Sequence, residues 1–252
     1  MEKQQRFWIV GSSSGIGLEL VKILLSEGHF VVASSRTAQE NEDLLNLQNT
    51  FKANLKLVSL DVNNDEELDS KVKEAWKCFR GLDLWFYNAG AYEVMDIDNW
   101  NFKHFKQMND VNYLGVLKIM TRVLPYFQNQ GFGRWLWNLS LSTYFGLPKG
   151  GGYSAPKAAL LNLAQSIHPE LRNKNITLQV VNHGFVKTRL TAKNDFEMPQ
   201  LMTPQFTAKK IYEGIQKDES FEIRFPFKLG IFLRVLSYLP YKISLALTRR
   251  ML

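Results

Sequence analysis

The stretch FWIVGSSSGIGLELVKILLSEG, residues 7–28, decides the fold class of this 252-residue chain. Its apolar start at 7–10 predicts a strand, and the apolar spacing over 16–27 predicts a helix. Three glycines occupy the junction: Gly11, Gly15 and Gly17. Glycine allows a tight turn and close backbone approach, and a helix N-terminus attracts phosphate. The stretch predicts a phosphate-binding turn, although the spacing GxxxGxG also fits a glycine-rich turn without a ligand.

Strand and helix patterns alternate along the rest of the chain. Short apolar runs predict strands at 7–10, 30–34, 55–60, 84–87, 135–139 and 177–182. Longer patterns predict helices near 16–27, 38–52, 65–79, 104–128, 154–172 and 207–217. The strand runs are almost continuously apolar, which is typical of a parallel sheet with helices on both faces. We therefore predict an α/β fold with one doubly wound domain over residues 1–222.

The cysteine and histidine content limits the site chemistry. One cysteine, Cys78, excludes an internal disulfide framework and a cysteine-rich metal site, so a cytoplasmic location is expected. The N-terminal apolar run is too short for a secretory signal. The histidines have no zinc-like spacing, at His29, His104, His168 and His183. We expect no metal.

The positive charge is concentrated at the C-terminus. Of the formal net charge of +7, six charges are the basic residues of 223–252, which leaves +1 for residues 1–222. Aromatic and basic residues do not interleave as in motifs that read nucleic acid. Nucleic acid is therefore not an expected partner.

The C-terminal extension, residues 223–252, is apolar as well as basic. Arg234, Pro240 and Lys242 interrupt its apolar run, so it lacks the roughly 20 apolar residues of a spanning helix. It predicts two short amphipathic helices that meet at Pro240. They would lie peripherally on an anionic membrane surface, or would instead cover the substrate mouth or a dimer partner.

The stretch GGGYSAPKAALLN, residues 150–162, places a tyrosine four residues before a lysine. Tyr153 and Lys157 would share one face of a helix, and a nearby positive charge can convert a tyrosine into a proton donor or acceptor. An ordinary aromatic beside a surface lysine is the alternative. Pro156 is predicted in the first helical turn, where its missing N–H costs nothing.

Together these stretches resemble the short-chain dehydrogenase/reductase family. The matching motifs run from about residue 7 to residue 190: GSSSGIG at 11–17, LDV at 60–62, NAG at 88–90, Asn112, Ser140, YSAPK at 153–157 and HGFVKT at 183–188. The resemblance implies a single Rossmann-like domain that binds NAD(H) or NADP(H), and relatives often form homo-oligomers.

The resemblance also implies which residues contact the cofactor. They are Gly11, Ser13, Ser14, Gly15, Ile16, Gly17, Ser35, Arg36, Asp61, Val62, Asn88, Ala89, Gly90, Tyr153, Lys157 and Thr188. At the end of the second strand, Ser35 and Arg36 leave no carboxylate to repel a 2′-phosphate, which favours NADP(H) over NAD(H). Asp61 would accept from the adenine amino group, and could also cap the following helix. His183 stands where family members mostly have proline. A packed or solvent-facing histidine is the favoured interpretation, and a role near the nicotinamide is the alternative.

The implied reaction is hydride transfer between nicotinamide and a carbonyl or alcohol carbon. Tyr153 would be the general acid or base, and Lys157 would lower its pKa and bind the nicotinamide ribose. Ser140 would donate to the substrate oxygen, with Ser142 as the alternative. Asn112 would hold a relay water, or would instead be a capping or packing amide.

Apolar side chains after the sixth strand and near the tyrosine predict an apolar pocket: Tyr92, Tyr144, Phe145, Phe185, Phe196, Met198, Leu201 and Met202. We therefore expect an NADP(H)-dependent carbonyl reductase or alcohol dehydrogenase. A catalytically silent nucleotide-sensing or scaffolding protein on the same fold is the alternative.

Overall fold

A seven-stranded parallel sheet forms the centre of the molecule in the computed structural model, which describes residues 4–217 and 220–251. The strands are β1 (Arg6–Val10), β2 (Phe30–Ser35), β3 (Leu55–Ser59), β4 (Leu84–Tyr87), β5 (Gly133–Asn138), β6 (Ile176–His183) and β7 (Glu222–Phe225). Their order across the sheet is β3-β2-β1-β4-β5-β6-β7, and every neighbouring pair is parallel.

Helices connect the strands and cover both faces of the sheet. They are α1 (Gly15–Ser26), α2 (Glu42–Thr50), α3 (Asp65–Lys77), α4 (Phe102–Asn109), α5 (Gly115–Gln130), α6 (Gly151–Arg172), α7 (Pro204–Lys217), α8 (Phe227–Tyr238) and α9 (Tyr241–Arg249). A π-helical segment, Asp110–Leu114, joins α4 to α5.

Two apolar cores sandwich the sheet because successive side chains of each strand point to opposite faces. On β1, Phe7 and Ile9 enter a core with α1 and α7, whereas Trp8 and Val10 enter a core with α3 and α5. All four side chains are buried. This arrangement confirms the predicted single Rossmann-like, doubly wound fold.

The structure departs from the predicted elements at four places. The helix predicted over 104–128 is divided into α4, the π-helical segment and α5. The region 38–52 divides into a 3₁₀ turn, Ala38–Glu40, and helix α2. Asn41 caps the start of α2, because its Oδ1 accepts from Leu44 N at 3.0 Å. The seventh strand, β7, was not predicted, because its sequence EIRF is short. Helix α6 begins at Gly151, so Pro156 lies beyond the first turn, and that prediction was wrong. Its ring removes one main-chain hydrogen bond from the helix.

The C-terminal extension forms the two predicted helices, α8 and α9, which are joined at Leu239 and Pro240. The proposed boundary at residue 222 falls on the first residue of β7. No helix within the described residues is long and apolar enough to cross a membrane.

Candidate active site

A large cavity opens where the strand order reverses. Strand β1 pairs with β2 on one side and β4 on the other, and the crevice beyond the carboxyl ends of such strands is where α/β folds bind ligands. The cavity has a volume of about 1420 Å³. It extends from the glycine turn after β1 to the C-terminal extension.

At Gly11 and Gly17 the glycine turn is packed too closely for a side chain. Gly11 has φ +93°, and a Cβ there would lie 2.5 Å from Ala89 N. A Cβ on Gly17 would lie 2.0 Å from the Gly11 carbonyl oxygen. Gly15 also has positive φ, at +58°. The turn therefore brings main chain, rather than side chains, to the cavity wall.

The N-terminus of α1 supplies donors to this wall. Ser14 is the N-cap residue but its side chain makes no capping hydrogen bond, so the first-turn N–H groups of α1 gain no partner from it. Ser13, Ser14, Gly15 and Ile16 line the cavity. This end of the helix fits a phosphate group.

The ends of β2 and β3 form the far side of the same region. Ser35 and Arg36 line the cavity, Arg36 is exposed, and the buried Ser35 Oγ has no hydrogen-bond partner. This unpaired hydroxyl fits a polar ligand group. Asp61 and Val62 line the cavity too.

The capping role that the sequence left open for Asp61 is not seen. Asp61 Oδ1 accepts from Asn63 N at 2.9 Å, and the residue that precedes α3 is Asn64. Asp61 therefore closes a turn of its own beside the cavity, rather than capping α3.

A chain of amides ties the strand ends together. Asn138 Nδ2 donates to Asn88 Oδ1 at 2.8 Å, and Asn88 Nδ2 donates to the Gly11 carbonyl at 2.7 Å. Ala89 and Gly90 continue the wall after Asn88. Sequence reasoning missed Asn138, although a single amide at the end of the apolar run WLWN is a usable signal.

Asn112 lies in the π-helical segment and is buried. Its Oδ1 accepts from Ala91 N at 2.9 Å, and its Nδ2 donates to Ala91 O at 2.8 Å. Asn112 does not line the cavity within the described residues, and its amide holds the segment after Gly90 in place. This is the packing amide that the sequence allowed. The relay water stays a prediction.

Tyr153, Ser140 and Lys157 meet at the middle of the cavity. Tyr153 is hydrogen-bonded to Ser140, and Lys157 Nζ lies 5.8 Å from the Tyr153 ring centroid. Ser140 Oγ also accepts from Ser142 N at 3.2 Å and from Ser142 Oγ at 3.0 Å. Ser140 is thus the residue bonded to the tyrosine, and Ser142 supports it.

Burial dominates the proton affinities of the pair. It raises the pKa of Tyr153 to about 12, with the nearby Tyr92 adding to the rise and the Ser140 hydrogen bond opposing it. Burial lowers the pKa of Lys157 to about 7. Lys157 Nζ donates to the Asn138 main-chain carbonyl at 2.6 Å, which fixes it beneath the tyrosine.

The segment after β6 closes the cavity opposite the glycine turn. Thr188 lies against Gly15, since a Cβ there would be 3.3 Å from Thr188 Cγ2. Arg189 NH2 donates to Ser14 Oγ at 2.9 Å, a contact that sequence reasoning missed. In the sequence, the only sign of this contact is the basic residue Arg189 directly after the HGFVKT motif.

His183 is packed rather than solvent-facing, which decides between the two arrangements that the sequence favoured. It is 9% exposed, its ring stacks on Phe225, and its Nδ1 is hydrogen-bonded to the Gly184 carbonyl at 2.7 Å. Burial lowers the pKa of His183 to about 4, and the charge of Lys157 adds to the fall. The imidazole is therefore neutral at neutral pH and also lines the cavity.

The far end of the cavity is apolar. Of the predicted pocket residues, Tyr92, Phe185 and Phe196 line it, and the Tyr92 ring packs edge-on against Tyr153 at 5.3 Å. Tyr144 and Phe145 instead pack with Leu141 beneath α8, and Met202 is a core residue. Four side chains of the extension line the cavity, at Leu229, Phe232, Leu233 and Met251. This agrees with the alternative in which the extension covers the substrate mouth, although the sequence did not indicate these residues.

Almost all candidate site residues therefore come together in one cavity. Those that line it are Gly11, Ser13, Ser14, Gly15, Ile16, Ser35, Arg36, Asp61, Val62, Asn88, Ala89, Gly90, Ser140, Tyr153, Lys157 and Thr188. Gly17 and Asn112 support the wall from behind.

The short chain dehydrogenase model matches residues 5–198, which include the glycine turn and the Tyr153–Lys157 pair. The chain belongs to the short-chain dehydrogenase family. An uncharacterized oxidoreductase from Myxococcus xanthus is 28% identical over 243 residues, 96% of each chain. An oxidoreductase from Botryotinia fuckeliana is 28% identical over 233 residues, 91% of this chain and 84% of that one.

Solved structures show the same fold as this short-chain dehydrogenase. A short chain dehydrogenase from Burkholderia cenocepacia in complex with NADP superposes with a TM-score of 0.83 at 20% identity, covering 99% of this chain and 98% of the other. One from Streptomyces avermitilis gives 0.82 at 17% identity, with 92% of each chain covered. The protein is an oxidoreductase of this family. In the part of the chain that the structure describes, no group of three or more His, Cys, Asp or Glu side chains could hold a metal ion.

Proposed function

We propose that this short-chain dehydrogenase transfers hydride between NADP(H) and a carbonyl or alcohol substrate, with Tyr153 as general acid and base. The observation that carries the proposal is the half-buried Tyr153, which lines the middle of the cavity and is hydrogen-bonded to Ser140, with Lys157 beneath its ring. The bound nicotinamide would supply or accept the hydride.

The residues of this chain would handle the proton. Carbonyl reduction forms an alkoxide, and a placed acid must protonate it. Tyr153, with a pKa raised to about 12, is protonated at neutral pH and can donate to that oxygen. Ser140 would hold the same oxygen. For alcohol oxidation the Tyr153 pKa must fall, and the Lys157 ammonium and the charge of the oxidised ring would both lower it.

The cavity wall would hold the cofactor along its length. The glycine turn and the N-terminus of α1 would bind the phosphates, Asp61 and Val62 the adenine, Asn88–Gly90 the central part, and Lys157 and Thr188 the nicotinamide end. These placements rest on the family resemblance and on the residues that line one continuous cavity. The B. cenocepacia relative, which is in complex with NADP, has the same fold.

We propose NADP(H) over NAD(H) because the end of β2 presents Arg36 and the unpaired Ser35 hydroxyl. Arg36→Ala is expected to weaken NADPH binding by about tenfold and to leave NADH binding unchanged, because only the 2′-phosphate loses a charge-assisted contact. Titration of bound nicotinamide fluorescence measures both affinities. Arg249→Ala, an exposed arginine outside the cavity, is the control. Equal affinities of the wild type for NADPH and NADH would refute the assignment.

The substrate end of the cavity favours an apolar carbonyl or alcohol, because aromatic and aliphatic side chains surround it. NADPH absorbance followed with a panel of ketones, aldehydes and acyl-thioester ketones tests the reaction class. We expect turnover with the more apolar members. Tight NADPH binding with no turnover across the panel would support the alternative, a silent nucleotide sensor.

We also propose a homo-oligomer that works in the cytoplasm. Just before α4 and at its first residue, Ile97, Trp100 and Phe102 are 71, 62 and 78% exposed. An exposed apolar cluster of this kind is typical of a contact between subunits. The single cysteine, Cys78, is compatible with a reducing compartment.

A further inference from the structure

Helix α9 buries its two hydroxyl side chains, Ser244 and Thr248, and exposes its apolar residues. Ser244 and Thr248, one turn apart, are 0 and 6% exposed. Ile243, Leu245 and Leu247 are 49, 57 and 37% exposed. A helix on the surface of a soluble protein normally has the opposite arrangement.

Helix α8 carries a second apolar stripe on its outer face. Its inner residues Leu233 and Leu236 pack on Leu141 and its neighbours. Its outer stripe follows helical spacing and is strongly exposed, at Phe227 (66%), Ile231 (40%), Val235 (50%) and Tyr238 (76%). This stripe and the exposed residues of α9 form what we call the outer face of the extension. Apolar residues on the surface of a soluble protein are normally scattered singly, whereas here many of them share one face.

The charge of the outer face has one sign. Residues 223–251 contain six basic residues and no acidic residue. Arg234 pairs with Glu222 at 3.6 Å. Lys228, Lys242, Arg249 and Arg250 are exposed, and none forms an ion pair with any residue in 4–217 or 220–251. The outer face therefore matches an apolar surface that carries negative charge.

A lipid surface fits these features better than the other occupants do. A second copy docked face to face would bring the unpaired cations of both copies together, which is unfavourable. No helix in the described residues can span a bilayer. Short helices with apolar and cationic residues on one surface are typical of attachment in the plane of the interface.

We propose that the outer face of α8 and α9 docks on an anionic lipid bilayer. Its aliphatic and aromatic side chains would enter the boundary between headgroups and acyl chains, with Tyr238 and Tyr241 at the polar level. Lys228, Lys242, Arg249 and Arg250 would contact lipid phosphates.

Docking would place the mouth of the active site at the lipid surface. The same extension lines the cavity through Leu229, Phe232, Leu233 and Met251. Phe232 is also 42% exposed, so it lies at the boundary between the cavity and the surface. Given the proposed oxidoreductase function, the substrate class is an apolar carbonyl or alcohol that partitions into membranes.

Flotation of the full chain with vesicles tests the docking independently of turnover. We expect the wild type to float with phosphatidylcholine vesicles that contain phosphatidylglycerol, and at least about tenfold less with phosphatidylcholine alone. Two variants should each lower flotation by about tenfold or more: the triple variant Lys242→Glu/Arg249→Glu/Arg250→Glu, which reverses the charge, and the single variant Leu245→Ser. The matched controls are Lys52→Glu/Lys73→Glu/Lys103→Glu and Phe132→Ser, which are exposed elsewhere. Flotation equal in the extension variants and the controls would overturn the proposal.

Two further measurements separate the outcomes. The extension variants should keep the wild-type circular dichroism and NADPH affinity, because their side chains line no part of the cavity. A concentration-dependent dimer in light scattering that Leu245→Ser abolishes, without wild-type flotation, would assign the face to a second copy.

Anionic vesicles should lower KM for a long-chain ketone and leave KM for a short one unchanged. If the protein floats but the vesicles do not change the two KM values differently, the membrane-borne substrate is refuted and the docking stands.

Discussion

The glycine turn after β1 and the C-terminal extension, through α8 and Met251, bound the same cavity, but their packing differs. At the glycine turn, a Cβ on Gly17 would lie 2.0 Å from a main-chain oxygen. On α9, the side chain of Leu245 is 57% exposed. The first region admits no added atom, whereas the second presents large apolar side chains that nothing in the described chain covers. The proposed cofactor end is thus closed by the main chain of the fold itself. In our proposal the substrate end is closed instead by the lipid surface on which the extension docks.

His183 lies between the two regions, and its protonation provides the largest stability effect that we expect. Burial lowers its pKa to about 4 from an ordinary 6.5. As pH falls from 6.5 to 4, the unfolded chain binds a proton that the folded chain does not, so the unfolding free energy falls. The wild type should lose up to about 3 kcal/mol more than His183→Leu over this window.

Denaturant unfolding of both proteins at about pH 7 and about pH 4.5 measures that difference. The comparison removes the contribution of carboxylates that titrate in both. An equal change of unfolding free energy with pH in the wild type and the variant would show that His183 is not held neutral in the folded protein, and that water reaches its side chain.

Gly17→Ala tests how completely the cofactor end is packed. The added Cβ must displace the Gly11 carbonyl, so we expect a loss of about 2 kcal/mol in unfolding free energy, together with weaker NADPH binding. Gly151→Ala is the matched control, because a Cβ there meets nothing within 4 Å. It should change stability by less than about 0.5 kcal/mol. If Gly17→Ala leaves the unfolding free energy unchanged, the difference in packing between the glycine turn and the C-terminal extension is refuted.

The fold and most of the site could be predicted because their signals are local. Apolar runs identified β1 to β6, and parallel strands place their carboxyl ends at one edge. Residues that follow different strands, such as Asn88 and Ser140, therefore had to meet. Strand β7 could not be predicted, since its four residues are too few to establish a strand, although EIRF alternates charged with apolar residues.

The remaining features depend on packing between distant segments. The pairing of the Asn138 amide with Asn88, 50 residues away, requires the register of β4 against β5. The contribution of α8 to the cavity requires α8 to fold back over Leu141. Periodicity also assigns α9 a helix, but only the structure shows that Ser244 and Thr248 face inward.

The most direct test of the central claim is single-turnover NADPH oxidation by the wild type and Tyr153→Phe, each with its cofactor occupancy measured. Removing the hydroxyl eliminates the proton donor and leaves the ring packed against Tyr92. We expect turnover to fall about 10²–10⁴-fold while NADPH affinity changes by less than about threefold. Turnover that survives in Tyr153→Phe at full cofactor occupancy would contradict the account.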